Sequence, residues 1–325
     1  MRHILTAALI GVANCAAVPS AVAQSADSYP SKVITIVVPT APGGGNDAMA
    51  RVVGQRLSDK LGKPVIVDNK PGANGSIAAE HVARAPADGH TLLWGYIATH
   101  GINPALQKLR YDPIKDFEPI GLVAESPTVL VVNTKAPFKT VPELLAAAKA
   151  KPGTINYASA GNGTAPHLAG EMFKIATGVD LVHVSYKGSS PGLMDTIGGT
   201  TQLMFPSLFT AMPHIQSGKL RAVAIAGKKR SPLLKEVPTL AEVGVKDVDV
   251  TQWYGLFAPA KTPKPIVERL NKELNAILAE RDVIKKIGDQ GGDVVTSSPA
   301  QLGSLVQTEV VRWKQLISAA KITAD

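Results

Sequence analysis

The chain is 325 residues long, with 34 lysines and arginines against 26 aspartates and glutamates, a formal charge of +8 and one cysteine. The basic residues are dispersed, and their densest run, Lys228-Lys229-Arg230, sits in a turn, so the charge is not the continuous stripe that nucleic acid requires. Cys15 falls within an N-terminal leader, which excludes disulfides, thiolate catalysis and cysteine-ligated metals from what remains.

Residues 1–23 read as a secretory signal peptide. Arg2 and His3 precede an apolar stretch from Ile4 to Val18, and Ala21-Val22-Ala23 is a small-x-small signal, so cleavage is expected after Ala23. Lipidation of Cys15 is not expected, because Asn14 stands where a small residue should precede it. No later stretch approaches the ~20 apolar residues of a membrane span. The remainder is therefore expected in the periplasm, outside the membrane. It exceeds one ordinary core, which favours two domains.

Strand and helix signals then alternate. Residues 33–38 (VITIVV) form a β-branched run that predicts a buried strand, and Met49, Val52, Val53 and Leu57 recur at helical spacing within 47–61, stopped by Gly62. Strand 65–67, loop 70–75, helix 76–85 and strand 90–95 follow. Apolar runs 117–124 and 128–133 are split by Glu125-Ser126-Pro127. A second series begins with helix 142–150, strand 155–159 and helix 166–176. Strand 182–186, helix 189–197, strand 203–205, helix 207–217 and strand 220–226 complete it. After strand 251–259 the chain is helical over 263–280, 281–289 and 299–320. This pattern predicts an α/β fold of two lobes, each a mainly parallel sheet flanked by helices. Residues 24–125 plus 252–325 are expected to form domain 1 and residues 126–251 domain 2, with a hinged ligand cleft between them.

Between the first strand and helix lies Pro39-Thr40-Ala41-Pro42-Gly43-Gly44-Gly45-Asn46-Asp47. A glycine loop that leads into a helix N-terminus presents free backbone N–H groups and the positive end of the helix dipole, an anion site needing no cationic side chain. Asn46 or Asp47 can cap the first turn. Asp47 is read as a cap, since like charges repel. The design recurs at Tyr157-Ala158-Ser159-Ala160-Gly161-Asn162-Gly163-Thr164-Ala165-Pro166-His167, with Thr164 as a candidate cap and Pro166 in the first turn.

At this point the chain resembles the substrate-binding receptors of the tripartite tricarboxylate transporter family, the Bug-type periplasmic receptors. The resemblance is carried by PTAPGGGNDAMAR (39–51), VIVDNKPGANGSIAA (65–79), YASAGNGTAPHLAGEMF (157–173) and HVSYKGSSPGLMDTIGG (183–199), with further support in 214–225 and 253–263. It implies a periplasmic binding protein fold, a small carboxylate ligand and delivery to membrane permease subunits, without cofactor or metal. It also places Thr40, Ala41, Gly43, Gly44, Gly45 and Asn46 on one side of the ligand, and Ser159, Gly161, Gly163, Thr164 and His167 on the other. The family often carries an aromatic residue where Thr40 stands. Trp94 and Tyr96 either reach the cleft or pack in the core. Thr99, Phe205 and Ser207 follow strand ends and are expected at the rim. A monomer is expected.

An enzyme is disfavoured. Gly188-Ser189-Ser190-Pro191-Gly192 matches a nucleophile elbow, but the residue after the serine must supply an oxyanion N–H, and Pro191 has none. The histidines at 81, 90, 100, 167, 183 and 214 show no metal-site spacing. A sensor built on the same scaffold would need the same closure and is not separated from a transport receptor by these residues.

Overall fold

A computed structural model describes residues 29–319 and 322; the expected signal peptide lies outside them. In chain order the elements are β1 (Ile34–Val38), α1 (Gly45–Leu61), β2 (Val65–Asn69), α2 (Ser76–Ala83), β3 (Thr91–Tyr96), α3 (Asn103–Leu106), β4 (Phe117–Asn133), α4 (Val141–Ala150), β5 (Asn156–Ser159) and α5 (Ala165–Thr177). They continue as β6 (Val182–Ser185), α6 (Ser189–Gly198), β7 (Leu203–Met204), α7 (Leu208–Gln216), β8 (Leu220–Ala226) and β9 (Thr251–Pro259). The last are α8 (Lys264–Leu278), α9 (Arg281–Gly288), β10 (Asp293–Val294) and α10 (Pro299–Ala319). Glycines end α1 and α5 as the sequence suggests: Gly62 and Gly178 take the left-handed conformation that side chains disfavour, and their N–H groups reach back to the last turn.

The fold is a two-lobed α/β architecture built on two sheets. In the first, β1 pairs in parallel with β2 and β3, and β9 then joins β3 and β4 in antiparallel fashion. In the second, β5 pairs in parallel with β6 and β7, while β7 and β8 run antiparallel to β4. Each sheet is thus parallel where βαβ units build it and antiparallel where β4, β8 and β9 join it.

The two apolar runs around Glu125-Ser126-Pro127 are a single 17-residue strand. Residues Phe117–Pro127 of β4 pair with β9, and Thr128–Asn133 pair with β8. Pro127 is tolerated because it stands where the partner changes, so its missing N–H interrupts neither ladder. One long strand therefore belongs to both sheets.

A smaller buried cluster groups Val129 and Val131 of β4 with Leu208 and Met212, separate from the main core that takes Leu130 and Val132. Trp94, Trp313, Phe205, Phe173 and Tyr157 are among the main core's fully buried side chains. The C-terminal helix α10 is anchored by buried Glu309, whose carboxylate accepts from the indoles of Trp253 (3.2 Å) and Trp313 (2.9 Å) and from Arg312 (3.1 Å). Strand β9 is thereby tied to the end of the chain.

Candidate functional site

A cleft of about 700 Å³ lies where the carboxyl ends of β1, β2, β3, β5, β6 and β7 approach one another. Five helices begin on its wall: α1 at Gly45, α2 behind Gly75, α5 at Ala165, α6 at Ser189 and α7 behind Ser207. The first N–H groups of a helix have no acceptor within it, so each start contributes donors and the positive end of its dipole. Lys187 is the one charged side chain among the described residues that line the cleft, and no carboxylate does. Thr40, also on the wall, keeps a buried Oγ1 with no hydrogen-bond partner among the described residues.

The first glycine loop is held from behind. Asp47 occupies the third position of α1 and accepts the N–H of Gly43 at 3.0 Å; Arg51 donates to the same carboxylate at 3.0 Å. Arg51 also reaches Asn69 (3.2 Å), whose amide donates to the carbonyl of Thr40 (3.0 Å). Burial alone would raise the Asp47 carboxyl. Hydrogen bonds from Arg51, Gly43 and Asn69, with the Arg51 charge, outweigh it and hold the group below the usual carboxylate range. Asp47 therefore braces the loop rather than capping the first helical turn; the cap position belongs to Gly44, which has no side chain. The N–H of Gly43 is used internally, and Gly43 stands off the wall.

Below this loop the indole of Trp94 donates to Asn46 Oδ1 at 3.2 Å, leaving the Asn46 amide as the donor available to a ligand. Trp94 is fully buried, whereas Tyr96 lines the cleft.

The second loop uses the same device. His167, third in α5, accepts the N–H of Gly163 through Nδ1 at 3.1 Å. The His167 ring stacks at 4.2 Å on His183, which stacks in turn on Tyr157 at 4.9 Å. Ser159 Oγ accepts from Gly161 N (3.1 Å) and lies 2.6 Å from His183 Nε2. Thr164 N donates to the carbonyl of Gly161 at 3.2 Å. The amides of Gly161, Gly163 and Thr164 are thus used within the loop, which leaves Ala165 N, at the helix start, as a donor for the cleft.

Of the residues singled out from sequence, Thr40, Ala41, Gly44, Gly45, Asn46, Tyr96, Gly161, Thr164 and Ser207 line this one cleft. Gly43, Ser159, Gly163 and His167 stand behind the loops and hold them. Thr99 and Phe205 are buried away from the rim expected for them. A π turn over Ala98–Ile102 carries Thr99 inward, where its Oγ1 meets the Tyr96 backbone and His100 Nδ1. Phe205 packs against Phe173 at 5.5 Å.

Sequence reasoning missed Asn74, Ser185, Thr210, Gln252 and Tyr254 on the wall. It placed a helix at 189–197 and rejected Gly188–Gly192 as a nucleophile elbow without assigning these residues to the ligand site, although they cap and open α6 beside Lys187. Among the described residues no group of His, Cys, Asp or Glu is arranged to hold a metal, and no helix is long and apolar enough to cross a membrane.

The brace makes a testable statement. Asp47→Asn is expected to destabilise the protein by about 1–3 kcal/mol at pH 7, as a buried charged hydrogen-bond acceptor is lost. Because the folded-state pKa is depressed, this contribution is complete above the usual carboxylate range and is lost as pH falls below it. Chemical denaturation from pH 7 to pH 3 should show the two proteins converging at the acid end.

Comparison with known proteins fixes the class. The pattern of the tripartite tricarboxylate transporter family receptor matches residues 49–322. A protein of the tcbD-tcbE intergenic region of a Pseudomonas species is 38% identical over 321 residues, covering 98% of this chain and 95% of its own. BugT of Bordetella pertussis is 35% identical over 296 residues, 90% of each chain. Among solved structures, an R. palustris protein with adipate superposes with a TM-score of 0.88 at 34% identity, covering 91% of this chain and 99% of its own. MatC of Rhodopseudomonas palustris with bound malate gives 0.84 at 35% identity, covering 89% and 100%. The chain belongs to the tripartite tricarboxylate transporter receptor family, and it is a periplasmic solute-binding protein of Bug type.

Proposed function

We propose that the protein captures a small carboxylate between its lobes and delivers it to the membrane permease of a tripartite transporter. The observation that carries this reading is the wall itself: among the described residues, five helix starts, one lysine and no carboxylate converge on one cleft. An anionic head group is the ligand that such a set of donors stabilises most. A micromolar ligand needs about −8 kcal/mol. Hydrogen bonds to a charged acceptor contribute roughly 1.5–3 kcal/mol each, and four or five donors can exceed the cost of desolvating the head group. Lys187 gives a second anionic group a partner, which favours dicarboxylates over monocarboxylates. The solved relatives that hold adipate and malate support the same class.

The test is a thermal-shift screen of the protein without its leader against adipate, malate, citrate, acidic amino acids, nicotinate and terephthalate. A ligand at one hundred times its dissociation constant should stabilise the protein by about 2.7 kcal/mol. Dicarboxylates should exceed their monomethyl esters, and the bound compound should be recovered unaltered. No stabilisation by any carboxylate at millimolar concentration would overturn the reading. Loss of uptake of the identified ligand on gene deletion tests the delivery step.

A further inference from the structure

Asn74 lies in the loop between β2 and α2, in the first lobe, with φ 51° and ψ 36°. A left-handed conformation is costly for most side chains and is tolerated by asparagine. Here the strained backbone sets the direction of the side chain. The Asn74 amide donates at 2.7 Å to Asn103 Oδ1, in its own lobe, and at 2.9 Å to the carbonyl of Gly163, in the second glycine loop across the cleft. Asn103 returns a hydrogen bond to the Asn74 carbonyl at 3.0 Å and holds Ser76 Oγ at 3.0 Å. Tyr96 donates from the cleft wall to the Asn74 carbonyl and to its Oδ1, both at 3.3 Å. Every polar atom of the Asn74 side chain is therefore occupied, and its first-lobe partners fix its rotamer.

What it grips is equally specific. The peptide that links Gly163 to Thr164 has its carbonyl on Asn74 and its N–H on the carbonyl of Gly161. Clamping that peptide plane sets the direction of the next amide, Ala165 N, at the start of α5. The same contact that joins the lobes thus orients a donor of the second loop.

We propose that Asn74 is a positioning residue that latches the two lobes in the ligand-holding state through its hydrogen bond to the Gly163 carbonyl. The proposal rests on the reading of this cleft as a ligand site that closes. Asn74→Gly is the informative substitution, because glycine accepts the left-handed backbone while removing the amide. Asn74→Asp is the second, since a carboxylate cannot donate to a carbonyl.

The experiment reads the distance between lobes without any ligand. The chain after the leader has no cysteine, so spin labels can be placed at exposed Ile66 and Ile175, one in each lobe, after cysteine substitution. Wild type should populate a short-distance, closed state. Asn74→Gly should lower the ratio of closed to open molecules about fivefold, the effect of one neutral hydrogen bond, in a protein that still melts cooperatively. Asn74→Asp should lower the ratio at least as much. With adipate as the probe, Asn74→Gly should dissociate it about fivefold faster. An unchanged ligand-free distance distribution in both variants overturns the latch, whatever adipate does. A changed distribution with no carboxylate bound by wild type would leave the latch standing and overturn the receptor function instead.

Discussion

Gly163→Asp is expected to lower affinity for a dicarboxylate such as adipate at least a hundredfold while both lobes remain folded. Three effects add. Gly163 has φ +72°, where any Cβ is strained. A Cβ at this position would lie 2.6 Å from Leu106 Cδ1 of the first lobe, so the new side chain meets the opposite lobe on closure. The carboxylate then adds a negative charge directly behind a wall that has none among its described residues, between the lining residues Asn162 and Thr164. A hundredfold is about 2.7 kcal/mol, within reach of strain plus like-charge repulsion in a desolvated cleft. Gly163→Ala keeps the strain and the Leu106 contact without the charge, so its loss should be smaller. Isothermal titration gives the affinities and a melting curve reports folding. Wild-type affinity in Gly163→Asp would show that the second loop does not contact the ligand.

The sequence made the starts of both loops legible for a local reason: a β-branched strand, a glycine run and a helix with a defined stop each leave their mark within a few residues. The use of the individual amides was not legible. Asp47 and His167 take the N–H groups of Gly43 and Gly163 because each occupies the third position of its helix and turns back toward the loop. No composition rule separates an amide held by its own loop from one offered to a ligand. The donors consequently shift from Gly43 and Gly163 to Gly45, Asn46 and Ala165.

The rim residues failed differently. Thr99 and Phe205 follow strand ends, but β3 runs directly into a π turn and β7 ends at Met204, so strand alternation no longer dictates which way those side chains point. Likewise Pro127 looks like a strand break, and only the exchange of β9 for β8 as partner explains why the strand continues. Long-range pairing, not local propensity, decided these positions.

Stability should rise steeply with pH between 4.5 and 6.5, and His100→Phe should remove about one proton's share of that slope. His100 is fully buried, stacked on Phe257 with ring centroids 4.0 Å apart, and edge-on to Phe117 at 5.0 Å. Its Nδ1 lies 2.9 Å from Thr99 Oγ1, and its Nε2 has no partner among the described residues. The nearby Glu309 carboxylate is taken up by two indoles and Arg312, so it does not neutralise an imidazolium here. Burial therefore pushes the imidazole down from its ordinary 6.5 to about 3. Between those values the unfolded chain binds a proton that the folded chain refuses. The His100 contribution is thus complete above pH 6.5 and is lost as pH falls toward 3. At about 1.4 kcal/mol per pH unit, the step from pH 6.5 to 4.5 costs roughly 2–3 kcal/mol. Denaturation at half-unit intervals should give a shallower slope for His100→Phe, which fills the same aromatic slot without titrating; parallel slopes would show that His100 charges freely in the folded state. The consequence extends to the cleft, because the Thr99 hydroxyl that meets His100 also accepts the backbone N–H of Tyr96 at 3.1 Å. Because the folded chain keeps His100 neutral down to about pH 3, this support of the wall residue that holds Asn74 should stay intact until the protein unfolds.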